Sequence, residues 1–388
     1  MKITIFKEEF IRRSLIVFLA IFFSGIVAFF ANLYISISFG PNIEYFGNFK
    51  TIIYLFAFLP MIVDFGISSS LTKYVAEFGR DIKKIRYVIF WFLKIRVISY
   101  VILVALTFLL KDYIAFYFLQ DASLDYLVIG GIFLMISNFF AIFSSIILGF
   151  QNFKIFSLSA FLSTALADIF AILLIPLGIF YMIMGWSLGL FLGYLPSVMF
   201  VLKKNIFSGF TKIEMKKLFF KFSLPIYPID LSSSLFTAII PILSLFFSQR
   251  IISYYSFAFM FYYVTTLIPS SLSSVLFPKI SELNGLKKFK DARNILKRAF
   301  LYYSPIAAIG LIFVFLFSEW FITSISKYFI PSLLIFKVLV YLGFVFGFNV
   351  IYTNYLKGLG KVKKYALFTL FQNILLILVS FILLDNMV

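Results

Sequence analysis

The sequence predicts an all-α fold: a polytopic transmembrane bundle of about eleven helices arranged in two pseudo-symmetric lobes. Three observations carry this: the composition, the length of the apolar runs and the alternation of charge between them. The chain of 388 residues is 63% hydrophobic and 13% charged, with mean hydropathy +1.06. That leaves too little polar surface to cover a soluble core. A hydrocarbon slab about 30 Å thick takes about 20 apolar residues per helix. Runs such as Ser14–Ile37, Tyr126–Leu148 and Tyr365–Leu384 meet that length.

Taken in order, the apolar runs predict spans near 14–37, 51–72, 87–110, 125–148, 156–178, 180–202, 222–247, 252–276, 299–318, 331–355 and 364–384. Basic residues fill alternate connections. Lys2, Lys7, Arg12 and Arg13 precede the first span, where they anchor topology. Lys73, Arg80, Lys83, Lys84 and Arg86 follow the second, and Lys203, Lys204, Lys212, Lys216, Lys217 and Lys221 the sixth. Lys279, Lys287, Lys288 and Arg293 follow the eighth, and Lys357, Lys361, Lys363 and Lys364 the tenth. The other connections hold little beyond Lys50, Lys111, Arg250 and Lys327. Lys and Arg collect on cytoplasmic loops, which places the N-terminus in the cytoplasm and, with eleven spans, the C-terminus outside. Segments 203–221 and 277–298 interleave lysines with Ile213, Met215, Leu218, Phe219 and Phe220, as amphipathic surface helices do.

Net charge +18 then follows from loop topology and anionic lipid, and nucleic acid is not a partner. With no cysteine there is no disulfide or thiol site, and with no histidine the commonest metal ligand is missing. No phosphate-binding G-x-x-x-x-G-K-[ST] loop is present. The chain reads as a transporter that needs no cofactor and is not an enzyme.

The chain also repeats itself at offsets near 205–209. Tyr45-Phe46-Gly47 pairs with Tyr254-Tyr255-Ser256, and Pro60 with Pro269. Leu71-Thr72-Lys73-Tyr74-Val75-Ala76-Glu77 pairs with Leu276-Phe277-Pro278-Lys279-Ile280-Ser281-Glu282. Gly149 to Lys154 pairs with Gly358 to Lys363. The duplication predicts an N-terminal six-helix lobe over 1–203, a cytoplasmic amphipathic linker over 204–221 and a C-terminal lobe over 222–388. The first half closes with a sixth span after Ile175-Pro176-Leu177-Gly178, whereas the second half lacks that helix. Two like-oriented halves around a central cavity are a usual transporter arrangement.

Phe39-Gly40-Pro41, Tyr45-Phe46-Gly47 and Asp64-Phe65-Gly66-Ile67 before a basic loop resemble the opening of polysaccharide-transport flippases. Phe222-Ser223-Leu224-Pro225, Tyr254-Tyr255-Ser256, Leu276-Phe277-Pro278, Gly358-Leu359-Gly360-Lys361 and Asn373 fit the second half of the same family. These flippases belong to the multidrug/oligosaccharidyl-lipid/polysaccharide (MOP) superfamily, which includes the MATE exporters. The resemblance covers nearly the whole chain. It implies two helical bundles, alternating access, and passage of polyprenyl-(di)phosphate-linked oligosaccharide across the cytoplasmic membrane for surface polysaccharide biosynthesis. Membrane lipids and other polysaccharide-assembly membrane proteins are the expected partners. A cation-coupled multidrug or small-molecule exporter of the same superfamily is the alternative. A membrane-embedded polysaccharide polymerase is a further one, although no large extracytoplasmic loop is present.

Charge inside an apolar run is costly and marks candidate sites. Asp64, Asp168 and Asp230 lie in spans two, five and seven; Lys94 and Arg96 lie in span three; Lys337 lies in span ten; Arg250 stands at the entrance of span eight. On a functional reading the cations hold a diphosphate headgroup and the carboxylates bind a coupling Na⁺ or H⁺. On a structural reading Lys94, Arg96 and Lys337 snorkel to the interface, and Asp64 serves a polar helix end beside Ser68-Ser69-Ser70. Pro225 and Pro228 precede Asp230, free backbone carbonyls and bend span seven, which makes them gating candidates.

Overall fold

A computed structural model describes residues 2–79, 81–204 and 209–387. Within these, side chains are described except at 2–15, 271, 274–275, 277–278, 281–282, 285 and 362. The side chains of Arg12 and Arg13, Arg80, and half of the Leu276–Glu282 motif therefore lie outside the described residues.

The described chain is helical throughout, with no strand. Its helices are α1 (Lys2–Ser38), α2 (Glu44–Ile62), α3 (Ile67–Phe78), α4 (Ile82–Leu109), α5 (Lys111–Ile114), α6 (Asp125–Phe139), α7 (Ala141–Gly149) and α8 (Phe153–Leu173). There follow α9 (Ile179–Leu202), α10 (Met215–Leu218), α11 (Leu224–Ser244), α12 (Gln249–Gly285), α13 (Phe289–Ile325), α14 (Leu333–Gly358) and α15 (Val362–Asp385). Eleven segments among the described residues are long and apolar enough to cross a membrane. Each coincides with one expected span, so the protein is a multi-pass membrane protein.

The second span departs from the expected outline in two ways. It begins at Glu44, seven residues before 51. Lys50, expected in a loop, is therefore inside α2 and only 5% exposed. The same span then breaks between α2 and α3, where Phe65 and Gly66 take positive φ of 50° and 69°. Gly66 is required twice over. Its backbone is left-handed, and a Cβ there would stand 2.2 Å from the Ser223 carbonyl oxygen. Its duplicate, span eight, has no glycine in the matching stretch Ser271 to Val275, and α12 runs unbroken through Pro269.

The 204–221 linker is not a separate surface helix. α10 passes through a π-turn at Phe219–Ser223 directly into α11, making one segment from Met215 to Ser244. Met215 is buried in an apolar cluster, and Ile213, Leu218, Phe219 and Phe222 pack against it. Of the hydrophobic side chains that suggested a membrane surface, Ile213, Met215, Leu218 and Phe219 thus face protein, and Phe220 stays exposed. The wider π-turn sits just before Pro225, whose ring would clash with the carbonyl four residues back in regular α-helix. The 277–298 segment likewise forms the ends of α12 and α13.

Two compact units partition the chain: Met1–Asn48 with Phe246–Val388, and Phe49–Leu245. The sequence boundary at 203–222 does not separate them. α1 groups with the last four spans because it packs along α12, and α11 groups with spans two to six. In the first unit α12 is central, packing against α1, α13 and α14, with Phe257 stacked on Phe329 at 4.1 Å. Tyr254, Tyr255 and Tyr262 are buried in this core. In the second unit α8 and α9 are in close register. Gly189 and Gly193, one turn apart, abut the backbone of Ala167 and Ser163; a Cβ at either would come within 2.3 Å.

Candidate functional site

The break in the second span leaves the last carbonyls of α2 and the first amides of α3 without helical partners. In a membrane, water cannot supply them. Side chains do. The Pro60 carbonyl accepts from Arg96 Nη1 (3.3 Å), Ile62 from Tyr227 Oη (2.6 Å) and Val63 from Ser99 Oγ (3.3 Å). On the other side Asp64 caps α3, accepting from the Ser68 N–H (3.3 Å) and Ser68 Oγ (2.8 Å). α4 and α11 thus hold both ends of the break.

Arg96 joins the two halves of this arrangement. Its Nη1 lies 2.7 Å from Asp64 Oδ1, with side chains 8% and 13% exposed. Its Nη2 donates to Tyr100 Oη at 3.3 Å, and its guanidinium carbon sits 4.6 Å from the Tyr100 ring centre. Its Nε is buried with no hydrogen-bond partner among the described residues. At the next residue of α3, Ser69 Oγ donates to Asp230 Oδ2 of α11 at 2.7 Å. Ser70 Oγ and Ser223 Oγ approach to 2.5 Å, next to the Gly66 contact.

These groups open on a cavity of about 270 Å³ lined by Asp64, Ser68, Ser69, Arg96, Asp230 and Ser234, with Asn138, Tyr100 and Tyr227 completing its polar wall. Asn138 stands beside a second break, where α6 gives way to α7 at Phe140. Arg96, Asn138 and Asp230 come from the inner part of their spans, while Asp64, Ser68 and Ser69 stand at and just after the break between α2 and α3. The cavity is formed entirely within the Phe49–Leu245 unit.

Of the charged candidates, the structure brings together Asp64, Arg96 and Asp230. Within the same unit it does not bring Lys94 or Asp168 to them. Lys94 is exposed on the outer face of α4, as a snorkelling lysine is. Arg250 belongs to the other unit, 60% exposed and 3.8 Å from Glu44. Lys337 is half-buried on α14 of that unit. Asp168 is completely buried on α8, and neither carboxylate oxygen has a hydrogen-bond partner among the described residues. The charge acting on it is Lys50 of α2. Pro228 lies inside α11 one turn below Ser232, whose Oγ donates to the Pro228 carbonyl at 2.6 Å; Pro225 lies in the first turn.

Sequence reasoning missed Lys50, Tyr100, Asn138 and Tyr227, and read Ser69 only as part of a polar helix end. Lys50 was misplaced by a late helix start. The others are ordinary polar residues whose role depends on which helices meet.

The sequence profile of the family described as "Polysaccharide biosynthesis protein" matches residues 10–284. No curated protein sequence matches the chain. Among solved structures, lipid II flippase MurJ in an inward closed conformation aligns with TM-score 0.67 and 19% identity, over 95% of this chain and 86% of that one. An inward-facing multidrug resistance MATE family transporter of the MOP superfamily aligns with TM-score 0.61 and 16% identity, over 93% and 88%. A MOP superfamily transporter from Pyrococcus furiosus Vc1 aligns with TM-score 0.60 and 14% identity, over 96% and 88%. At these identities the likeness is one of fold.

Proposed function

The chain belongs to the polysaccharide biosynthesis protein family, and from that premise we propose that it is a flippase for lipid-linked oligosaccharide, a transporter rather than an enzyme. The observation that carries this reading is the polar cavity around Asp64, Arg96 and Asp230, built by helices that otherwise hold few charges. A charged group at the centre of a span costs about 2.5–3.5 kcal/mol on insertion scales, so three retained in one cavity point to a polar passenger. The fold shared with MurJ, a lipid II flippase, supports a lipid-linked cargo. The basic connections support a cytoplasmic N-terminus in the plasma membrane and loading from the cytoplasmic leaflet.

Coupling to Na⁺ or H⁺ is assigned to Asp168. It is a buried carboxylate without hydrogen-bond partners among the described residues, in the field of Lys50. Pro225 and Pro228 with the π-turn before them are the bend of a gate in span seven.

The test is deletion of the gene followed by leaflet assignment of its lipid-linked oligosaccharide. Accumulation on the cytoplasmic leaflet is expected, and normal distribution overturns the reading. A cation-coupled small-molecule exporter is the second reading, favoured by the two carboxylates in the cavity. Cation efflux from vesicles holding the protein, without glycolipid movement, would select it.

A further inference from the structure

The unit of Met1–Asn48 with Phe246–Val388 holds a cavity of its own, about 410 Å³, between α12, α13 and α14. It shares no residue with the polar cavity. Its lining carries no charge and two side-chain hydroxyls, and both hydroxyls donate to backbone. Thr265 Oγ1 donates to the Tyr262 carbonyl at 2.7 Å, and Tyr303 Oη to the Phe344 carbonyl at 3.0 Å. Water needs several polar partners, which this wall does not offer. A dry cavity of about 150 Å³ already admits benzene, and this one is larger.

The floor and the rim of this cavity differ. Tyr303, Val314 and Phe336 are buried, whereas Ile306, Ile309 and Phe313 are exposed. On a multi-pass membrane protein an exposed apolar rim opens to lipid tails. Along α13 the rim continues as one stripe. Arg298, Tyr302, Ile306, Ile309 and Phe313 recur at three- and four-residue spacing, and all five are exposed. Arg298 thus stands on the face of the rim, about 12 Å along the helix axis from Ile306. Pro305 interrupts this stretch, but the Leu301 carbonyl that it leaves without an amide accepts from Ser304 Oγ at 3.2 Å. The surrounding segment 287–304 carries six cations against one acid, Asp291.

We propose that this groove binds an anionic phospholipid, with one acyl chain in the cavity and the phosphate at Arg298. An apolar cavity alone takes any hydrocarbon, and a basic helix end alone takes any anion. Firm lipid binding draws on both an apolar chain and a charge, and the α13 stripe joins the two. The chain fills space between the helices that side chains leave open. The site does not depend on the flippase reading, because a phospholipid belongs to the bilayer whatever the protein carries.

The test is photocrosslinking of the full chain in detergent. The probes are phosphatidylglycerol, phosphatidylcholine and a polyprenyl phosphate, each with a photoreactive group at the end of one hydrocarbon chain. Phosphatidylglycerol is expected to mark the peptides of α12, α13 and α14 that line the cavity. Arg298→Gln should lower its yield about fivefold, the worth of one cation at a membrane surface, and leave phosphatidylcholine within about twofold. Ile306→Trp, which fills the rim, should lower both by a similar factor. Arg298 is exposed, so its variant keeps the test open if the tryptophan disturbs folding. Equal marking of wild type and Arg298→Gln by phosphatidylglycerol, or marking confined to other helices, overturns the site. Stronger marking by the polyprenyl phosphate than by phosphatidylglycerol overturns it too, since the cavity then belongs to the tail of a cargo lipid.

Discussion

Arg96 and Asp64 meet at 2.7 Å across the break in the second span, and each also holds one side of that break. Arg96 reaches the α2 carbonyl of Pro60, while Asp64 caps α3 through Ser68. The pair is therefore both a fastening and part of a cavity wall. Removing one partner leaves an uncompensated buried charge, with a typical cost of about 3–5 kcal/mol. Arg96→Met is expected to lower the melting temperature in detergent sharply. The double change Arg96→Met with Asp64→Asn should recover part of that loss. Additive melting shifts in the double variant would refute the coupling.

Gly66 is the second fastening. Its left-handed backbone and the Ser223 carbonyl 2.2 Å from an added Cβ both oppose a side chain. Gly66→Ala should cost more than the ~1–2 kcal/mol of left-handed strain alone. Gly40→Ala is the control, since φ there is +51° but nothing lies within 4 Å. Equal melting shifts for the two variants would show that the approach of span seven at Gly66 carries no energy.

Tyr227 donates to the Ile62 carbonyl at 2.6 Å. Tyr227→Phe removes that donor with little change of shape. It should cost about 1 kcal/mol, the scale of hydrogen bonds within membrane bundles. Hydrogen exchange should then rise at the C-terminal end of α2, and unchanged exchange would contradict the capping role.

Asp168 and Lys50 form a separate buried set on α8 and α2, 0% and 5% exposed. Asp168→Ala should abolish dependence of transport on an ion gradient. Gradient dependence that survives the substitution would remove Asp168 from the coupling role.

Much of this was legible in the sequence, and for identifiable reasons. Span length and apolarity are properties of each segment alone, so all eleven crossings could be read from runs of residues. Asp64, Arg96 and Asp230 stood out because a charge in an apolar run is conspicuous. What was hidden depended on neighbours. The break at Gly66 follows from the Ser223 backbone 157 positions away in sequence, and the capping by Tyr227 and Ser99 depends on which spans pack. Lys94 and Arg96 look equivalent in sequence; two residues apart on a helix, they point to different faces, and only Arg96 enters the cavity. The glycine spacing Gly185, Gly189 and Gly193 was readable as a close-packed face and was overlooked, as was Lys50 within α2.

The most direct test of the account is the rate at which purified protein in vesicles moves a fluorescent polyprenyl-diphosphate disaccharide between leaflets. Wild-type protein is expected to move it. Asp230→Ala, which removes the Ser69 contact and one acceptor of the cavity, is expected to slow it about tenfold, equivalent to about 1.4 kcal/mol. Its melting temperature should stay near that of wild type. An Asp230→Ala protein that is folded and moves the glycolipid at the wild-type rate would contradict the claim that cargo passes through this cavity.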